Sequence, residues 1–231
     1  MTPSLEEIRR ALGAQAPLLE PDRDENGERK KRAAVALILR IRRLDSGFDV
    51  PEVLFIERAR FAGDPWSGHM AFPGGRVERD DDDPRAAAER ETLEEVGVSL
   101  AGAELLGQLD DLCGRHAGRE IPMVISAYVY LVARPAPLDT NYEVATAFWF
   151  PLEDLHDPER RSHYEIRNLR FPGLLVGEPG RHVVWGLTYR LLEIFFERLA
   201  RPLPDRWDDV AEFRDASDED RGEIEKRLLS D

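Results

Sequence analysis

The stretch Phe72-Pro73-Gly74-Gly75-Arg76-Val77-Glu78-Arg79-Asp80-Asp81-Asp82-Asp83-Pro84-Arg85-Ala86-Ala87-Ala88-Glu89-Arg90-Glu91-Thr92-Leu93-Glu94-Glu95-Val96-Gly97-Val98 decides how this chain is read. A glycine pair ends an apolar run and an acidic loop follows. Then comes a segment marked at both ends. Asp83 suits a helix N-cap, Pro84 suits the first helical position, and Gly97 suits the left-handed stop. A helix is therefore predicted between Asp83 and Gly97. At 100° per residue, Glu91 and Glu95 lie about 40° apart and Glu94 about 60° to the other side of Glu91, so three carboxylates share an arc of roughly 100°. Like charges so crowded repel unless a cation sits among them, and hard oxygen ligands suit Mg²⁺ and Mn²⁺. Arg90 is placed to hydrogen-bond to Glu94 one turn on and hold that carboxylate. Ala86, Ala87 and Ala88 keep the helix slim enough to lie close to a sheet. Gly74 and Gly75 permit a tight turn that returns the loop to the helix. This is a way to mount divalent cations beside a phosphate chain, and the expected chemistry is metal-dependent hydrolysis of a diphosphate.

Outward from this segment, apolar strand-like runs fall at Ala33 to Leu39, Val53 to Ile56, Ala103 to Leu109, Met123 to Val132 and Ala145 to Phe150. Residues 4–13 read as a short helix. Residues 181–200 read as a long one, with Val184, Leu187, Leu191, Ile194, Phe195 and Leu199 at helical spacing. Residues 20–32 are polar and turn-rich, hence a linker or mobile arm. The expected organisation is a helix and polar linker over 1–32, a catalytic domain over 33–200, and an acidic tail over 201–231 with a short helix from Gly222 to Leu229. Strands, a helix, more strands and a closing helix point to an α/β fold, a mixed sheet with helices on both faces.

Composition excludes some functions. The chain carries a net charge of −14 over 231 residues. Nucleic acid is not expected as a partner, because binding it needs a basic face. An acidic protein acting on an anionic substrate needs a local reversal of field, which bound metal supplies. Cys113 is the one cysteine, so no intramolecular disulfide forms and a reducing compartment fits. Met1 to Gly13 lacks the apolar stretch of a signal peptide, and no run approaches a membrane span. A soluble, cytoplasmic protein without a membrane partner is expected; the oligomeric state is not legible.

Arg90-Glu91-Thr92-Leu93-Glu94-Glu95-Val96-Gly97 resembles the signature of Nudix hydrolases, whose core reads Arg-Glu-x-x-Glu-Glu-x-Gly. The resemblance implies an α/β/α sandwich, divalent metal, and hydrolysis of nucleoside diphosphates linked to another moiety. Carried over by position, it makes Glu91 and Glu95 metal ligands, Glu94 a ligand or an aid to the attacking water, and Arg90 the residue that orients the carboxylates. The box departs from the usual form: the segment between Gly75 and Arg90 is one residue longer, Asp82 replaces a glutamate, and Thr92 replaces a large aliphatic. The Phe72-Pro73-Gly74-Gly75 segment, the longer box, Asn141 to Ala145 and Val184 to Thr188 resemble the coenzyme A pyrophosphatase branch. For that branch the products are 3′,5′-ADP and phosphopantetheine. ADP-ribose, dinucleotides or other nucleoside diphosphate derivatives keep the same chemistry, and a non-catalytic ligand-binding module keeps only the fold. An arginine expected before the glycine pair is replaced by Gly63, with Arg58 or Arg60 as substitutes.

Other residues carry open readings. Arg58 and Arg60 either hold a substrate phosphate bidentately or pair with nearby acids. Arg58, with the Gly74–Gly75 turn, is taken as the substrate-binding group. Glu143 is either an added metal ligand or general base, or an exposed loop residue. His69 is an acid–base candidate or a packing residue. Trp66 and Trp185 read as packing rather than base stacking, Cys113 as an ordinary thiol, and Asp80 to Asp83 as solvated loop, with one member within reach of a metal as the alternative.

Overall fold

The computed structural model describes residues 3–24, 26–62, 66–116, 119–166 and 169–205. Gly63 and the expected helix from Gly222 to Leu229 lie outside them.

The elements run α1 (Leu5–Gly13), β1 (Lys31–Arg43), β2 (Asp49–Arg58), β3 (Met70–Ala71), β4 (Gly74–Arg76), α2 (Pro84–Val96), β5 (Glu104–Gln108), β6 (Leu112–His116), β7 (Arg119–Leu131), β8 (Val144–Pro151), β9 (Arg161–Ile166), β10 (Leu169–Leu175), β11 (Val183–Val184) and α3 (Gly186–Arg198). Strands β1 to β8 form one mixed sheet. Its central pair, β1 and β7, is parallel, Lys31 to Leu39 opposite Met123 to Leu131, and the other pairings are antiparallel. A parallel strand at the centre is covered on both faces and reads as a near-continuous apolar run, as Ala33 to Ile41 does.

Alternation then sorts side chains into two cores. Ala34, Ala36 and Ile38 face α2, packing with Ala87, Ala88 and Val96. Leu37 and Leu39 face the other layer, with Ile8 and Leu12 of α1 and Leu191, Leu192, Phe195 and Phe196 of α3. The result is the three-layer α/β/α arrangement expected, with α2 alone on the face that carries the carboxylates. Four fully buried alanines at the α2–β1 interface remove the side-chain bulk that would hold the helix off the sheet.

Three local features differ from the sequence reading. The last helix begins at Gly186 rather than 181, because Val183 and Val184 pair with Leu175 and Leu174 as strand. Residues 161–184 add a second, three-stranded sheet, β11-β10-β9, which the polar sequence of β9 did not announce. Arg181 ties this sheet to the first through a bidentate pair with buried Glu57 at 3.0 and 2.6 Å, and Thr188 donates to Met70 O at 3.0 Å. Residues 20–32 are not a free arm. Arg32 pairs with Asp22 and Asp111, Lys30 with Glu20, and Glu20 N–H donates to Asp111. The segment is polar because its fixing contacts are ionic. Helix α1 carries a capping box between Ser4 and Glu7, and its Ile8 and Leu12 lie in the core.

Candidate functional site

The site begins where β1 and β2 part. They pair only from Leu39–Val53 to Arg43–Asp49. Beyond that the gap is filled by residues 69–76: Arg58 N–H donates to His69 O at 3.0 Å, Ala36 N–H to Pro73 O at 2.8 Å, and β4 pairs with Ala33 to Val35. This inserted segment delivers the glycine pair to α2. At Gly74 φ is +148°, and a Cβ there would approach Ala34 O and Val35 Cα to under 3.0 Å. At Gly75 a Cβ would come equally close to the carboxyl group of Glu91. Gly74 therefore demands glycine, since backbone atoms block a side chain there, whereas a side chain at Gly75 would displace the Glu91 carboxyl. Gly74 N–H donates to Glu95 Oε2 at 2.8 Å.

Helix α2 is bounded as its sequence says. Asp83 accepts from Ala86 N–H at 2.8 Å, Pro84 opens the helix, and Gly97, at φ +69°, donates to Leu93 O at 3.0 Å. The three carboxylates do not share one environment. Glu95 is 2% exposed, and burial pushes its carboxyl up to about 7, against the Gly74 hydrogen bond and the charge of Arg58. Burial also raises Glu91, although Arg90 opposes it. Glu94 is exposed. Thr92, at the position where a large aliphatic was expected, is buried and donates to Ala88 O at 2.7 Å.

Arg90 has a partner that the sequence reading passed over. Its Nε and Nη2 each lie 3.0 Å from an oxygen of Asp81, and its Nη1 donates to Glu91 at 3.0 Å and Glu94 at 3.3 Å. Asp81 is therefore not solvated loop: its side chain is 6% exposed, and Arg90 holds its carboxyl below the usual range. The sequence signal was present as four consecutive aspartates, but which of them turns inward is decided by the loop's path. The 3.3 Å bond from Arg90 to Glu94 is the one that was anticipated.

Glu143 reaches the same space by way of the helix end. Asp139 N–H donates to Val96 O at 3.0 Å and Asn141 N–H to Glu95 O at 3.1 Å, which satisfies carbonyls that α2 leaves open. Asn141 Oδ1 then accepts from Glu143 N–H at 2.8 Å, and Glu143 O accepts from Ala59 N–H at 2.7 Å. Glu143 adds to the upward push on both Glu91 and Glu95, so its charge faces theirs. Arg58, half-buried, is the cation that opposes the push on Glu95. Arg60 packs instead over Gly68. His69 sits edge-on to Trp185 at 4.9 Å, and Trp185 stacks on Tyr164 at 3.9 Å; these rings brace the chain ahead of the glycine pair. Cys113 is an exposed thiol hydrogen-bonded to the Glu20 carboxylate.

Among the described residues no three metal-binding side chains form a ready-made cage. Mg²⁺ does not require one: it is commonly held by one or two carboxylates, waters and the substrate's own phosphates. The donor set fits such an ion. Glu95 is a buried carboxylate whose ionised form the Gly74 hydrogen bond and Arg58 offset only in part, Glu91 is beside it, and Glu94 and Glu143 lie at the open side.

The NUDIX domain family model matches residues 30–169. An uncharacterized protein of Schizosaccharomyces pombe is 38% identical over 125 residues, covering 52% of this chain and 38% of its own length. The mitochondrial coenzyme A diphosphatase NUDT8 of Mus musculus is 28% identical over 159 residues, covering 65% of this chain and 72% of its own. The chain spans 38% of the fission-yeast protein, and 63% and 43% of Nudix hydrolases 15 and 22 of Arabidopsis thaliana. Among solved structures, a MutT/nudix family protein from Enterococcus faecalis shares the fold with a TM-score of 0.52 at 19% identity, over 87% of this chain and 76% of that one. With the family model covering more than half of its length, this chain belongs to the Nudix family.

Proposed function

We propose that the protein is a divalent-metal-dependent diphosphohydrolase of a nucleoside diphosphate linked to another moiety, and that its substrate is coenzyme A or a derivative. The observation that carries the reaction is the approach of Glu95 to Gly74 and of Glu91 to Gly75, with burial raising both and the charge of Glu143 bearing on both. The substrate assignment is supported by the Phe72-Pro73-Gly74-Gly75 segment, the longer box and the likeness to two mammalian coenzyme A diphosphatases at 28% identity.

Glu91 and Glu95 would hold the cation, with Glu94 at the exposed edge of the same site. Mg²⁺ or Mn²⁺ bound there supplies charge neutralisation for the diphosphate and a more acidic water. Arg90, fixed by Asp81, holds Glu91 and Glu94 in place. Arg58 meets a phosphate oxygen that would otherwise confront Glu95. Glu143 is set to take the proton of the attacking water. Addition of water across one P–O–P bond of coenzyme A yields 3′,5′-ADP and 4′-phosphopantetheine. The cytoplasm is the proposed compartment, on the lone thiol Cys113; the names of NUDT8 and Nudix hydrolase 15 place those relatives in mitochondria.

The test is a hydrolysis panel of coenzyme A, ADP-ribose and diadenosine compounds, with Mg²⁺, with Mn²⁺ and with excess EDTA. Coenzyme A is expected to give the highest kcat/KM, and EDTA to abolish turnover. ADP-ribose or a dinucleotide ahead by about tenfold, or 1.4 kcal/mol, overturns the substrate. Undiminished turnover in EDTA overturns the mechanism, and no turnover of any compound leaves a binding module.

A further inference from the structure

We propose that Phe61 and Tyr142 form an aromatic corner at the rim of the carboxylate site that takes the planar base of the substrate's nucleotide half. The proposal rests on the diphosphohydrolase reading and extends it to substrate recognition.

Phe61 is 46% exposed and Tyr142 77% exposed, yet their rings meet edge to face, with centroids 6.3 Å apart and planes at 81°. Rings this exposed add little to the core. They are nonetheless mounted on fixed backbone. The Ser67 hydroxyl accepts from Phe61 N–H at 2.9 Å and donates to Phe61 O at 2.8 Å. Tyr142 lies between Asn141, whose N–H is bonded to Glu95 O, and Glu143, whose carbonyl accepts from Ala59 N–H. The Tyr142 hydroxyl is also hydrogen-bonded to the Glu143 side chain. A corner of two perpendicular rings offers one face for stacking and one edge-to-face contact, the geometries aromatic rings prefer. Its position next to Glu143 suits a base, which is separated from its α-phosphate by one ribose.

The experiment measures binding with non-hydrolysable probes by calorimetry in Mg²⁺: α,β-methylene-ADP, which carries base and diphosphate, and methylenediphosphonate, which carries the diphosphate alone. Alanine at a base-stacking position weakens binding by about five- to hundredfold. Phe61→Ala and Tyr142→Ala are expected to weaken α,β-methylene-ADP within that range and to leave methylenediphosphonate unchanged. Phe61→Tyr and Tyr142→Phe, which keep the rings, are expected to restore nucleotide binding. Equal weakening of both probes, no weakening of the nucleotide, or weakening of 4′-phosphopantetheine in its place overturns the proposal. The hydrolysis panel on the wild-type chain reads the diphosphohydrolase assignment separately. Turnover there, with nucleotide binding indifferent to both rings, removes the corner and keeps the enzyme.

Discussion

Replacing Glu95 with Gln separates what this carboxylate does for the site from what its burial costs the fold. The side chain is 2% exposed, and its carboxyl is raised from 4.5 to about 7, chiefly by burial. Between those two values the folded chain retains a proton that the unfolded chain has released. Stability from this group is therefore complete below pH 4.5 and is lost as pH rises to about 7, a loss of about 3 kcal/mol in the absence of metal. Gln keeps the size of the residue, and its carbonyl oxygen can still accept from Gly74 N–H.

Urea unfolding in EDTA from pH 5 to 8 checks this. The stability of Glu95→Gln relative to wild type should improve by about 3 kcal/mol across that range, or about 6–12 °C in Tm for a chain of this size. Comparing the two proteins cancels the other titrating groups, which are common to both. Saturating Mg²⁺ should reverse the order at pH 8, because the ion stabilises only the protein that binds it. In the hydrolysis assay kcat should fall at least about 100-fold, or 2.7 kcal/mol of barrier. A stability gap that does not change with pH in EDTA would refute the argument from burial. A wild-type kcat would refute the role.

Gly75→Ala places a Cβ under 3.0 Å from the Glu91 carboxyl, so the end of the Glu91 side chain must move; kcat should drop at least about tenfold (about 1.4 kcal/mol of barrier) with little change in stability. Unchanged kinetics at saturating metal would mean that Glu91 has no fixed position to lose. Asp81→Asn removes the charge that anchors Arg90, and unfolding at pH 7 should show a loss of about 2–3 kcal/mol. Since Arg90 holds the Asp81 carboxyl below 3.8, that difference should persist at neutral pH and narrow only as the pH falls below this value. A urea midpoint equal to wild type at pH 7 contradicts this.

The parts of the fold that were legible are those whose causes are local. Asp83, Pro84 and Gly97 bound α2 by caps that involve only neighbours within a turn. The apolar runs of β1 and β7 announced central strands because both of their faces are buried. The short strands β3 and β4 have no such signature: Met70–Ala71 and Gly74–Arg76 are strands because β1 and β2 separate and leave backbone donors and acceptors to be met. The same holds for residues 20–32, which looked mobile because Arg32 meets Asp111, 79 positions further along the chain, only once the fold brings them together. Asp81 was hidden in another way. Four identical neighbours carry no information about which one faces Arg90.

Glu143 shows how a site can depend on a demand that has nothing to do with its chemistry. Any helix ends with carbonyls that lack intrahelical donors. In α2 the last of these belong to Leu93, Glu95 and Val96, and they are met by the N–H groups of Gly97, Asn141 and Asp139. Two of the three donors come from the loop that precedes β8. That loop is thereby fastened to the end of the helix that bears Glu91, Glu94 and Glu95, and the Asn141 side chain turns the next residues so that Glu143 faces them. The fourth carboxylate is thus delivered by helix capping, in a stretch where sequence offers only Asn141-Tyr142-Glu143 before an apolar strand.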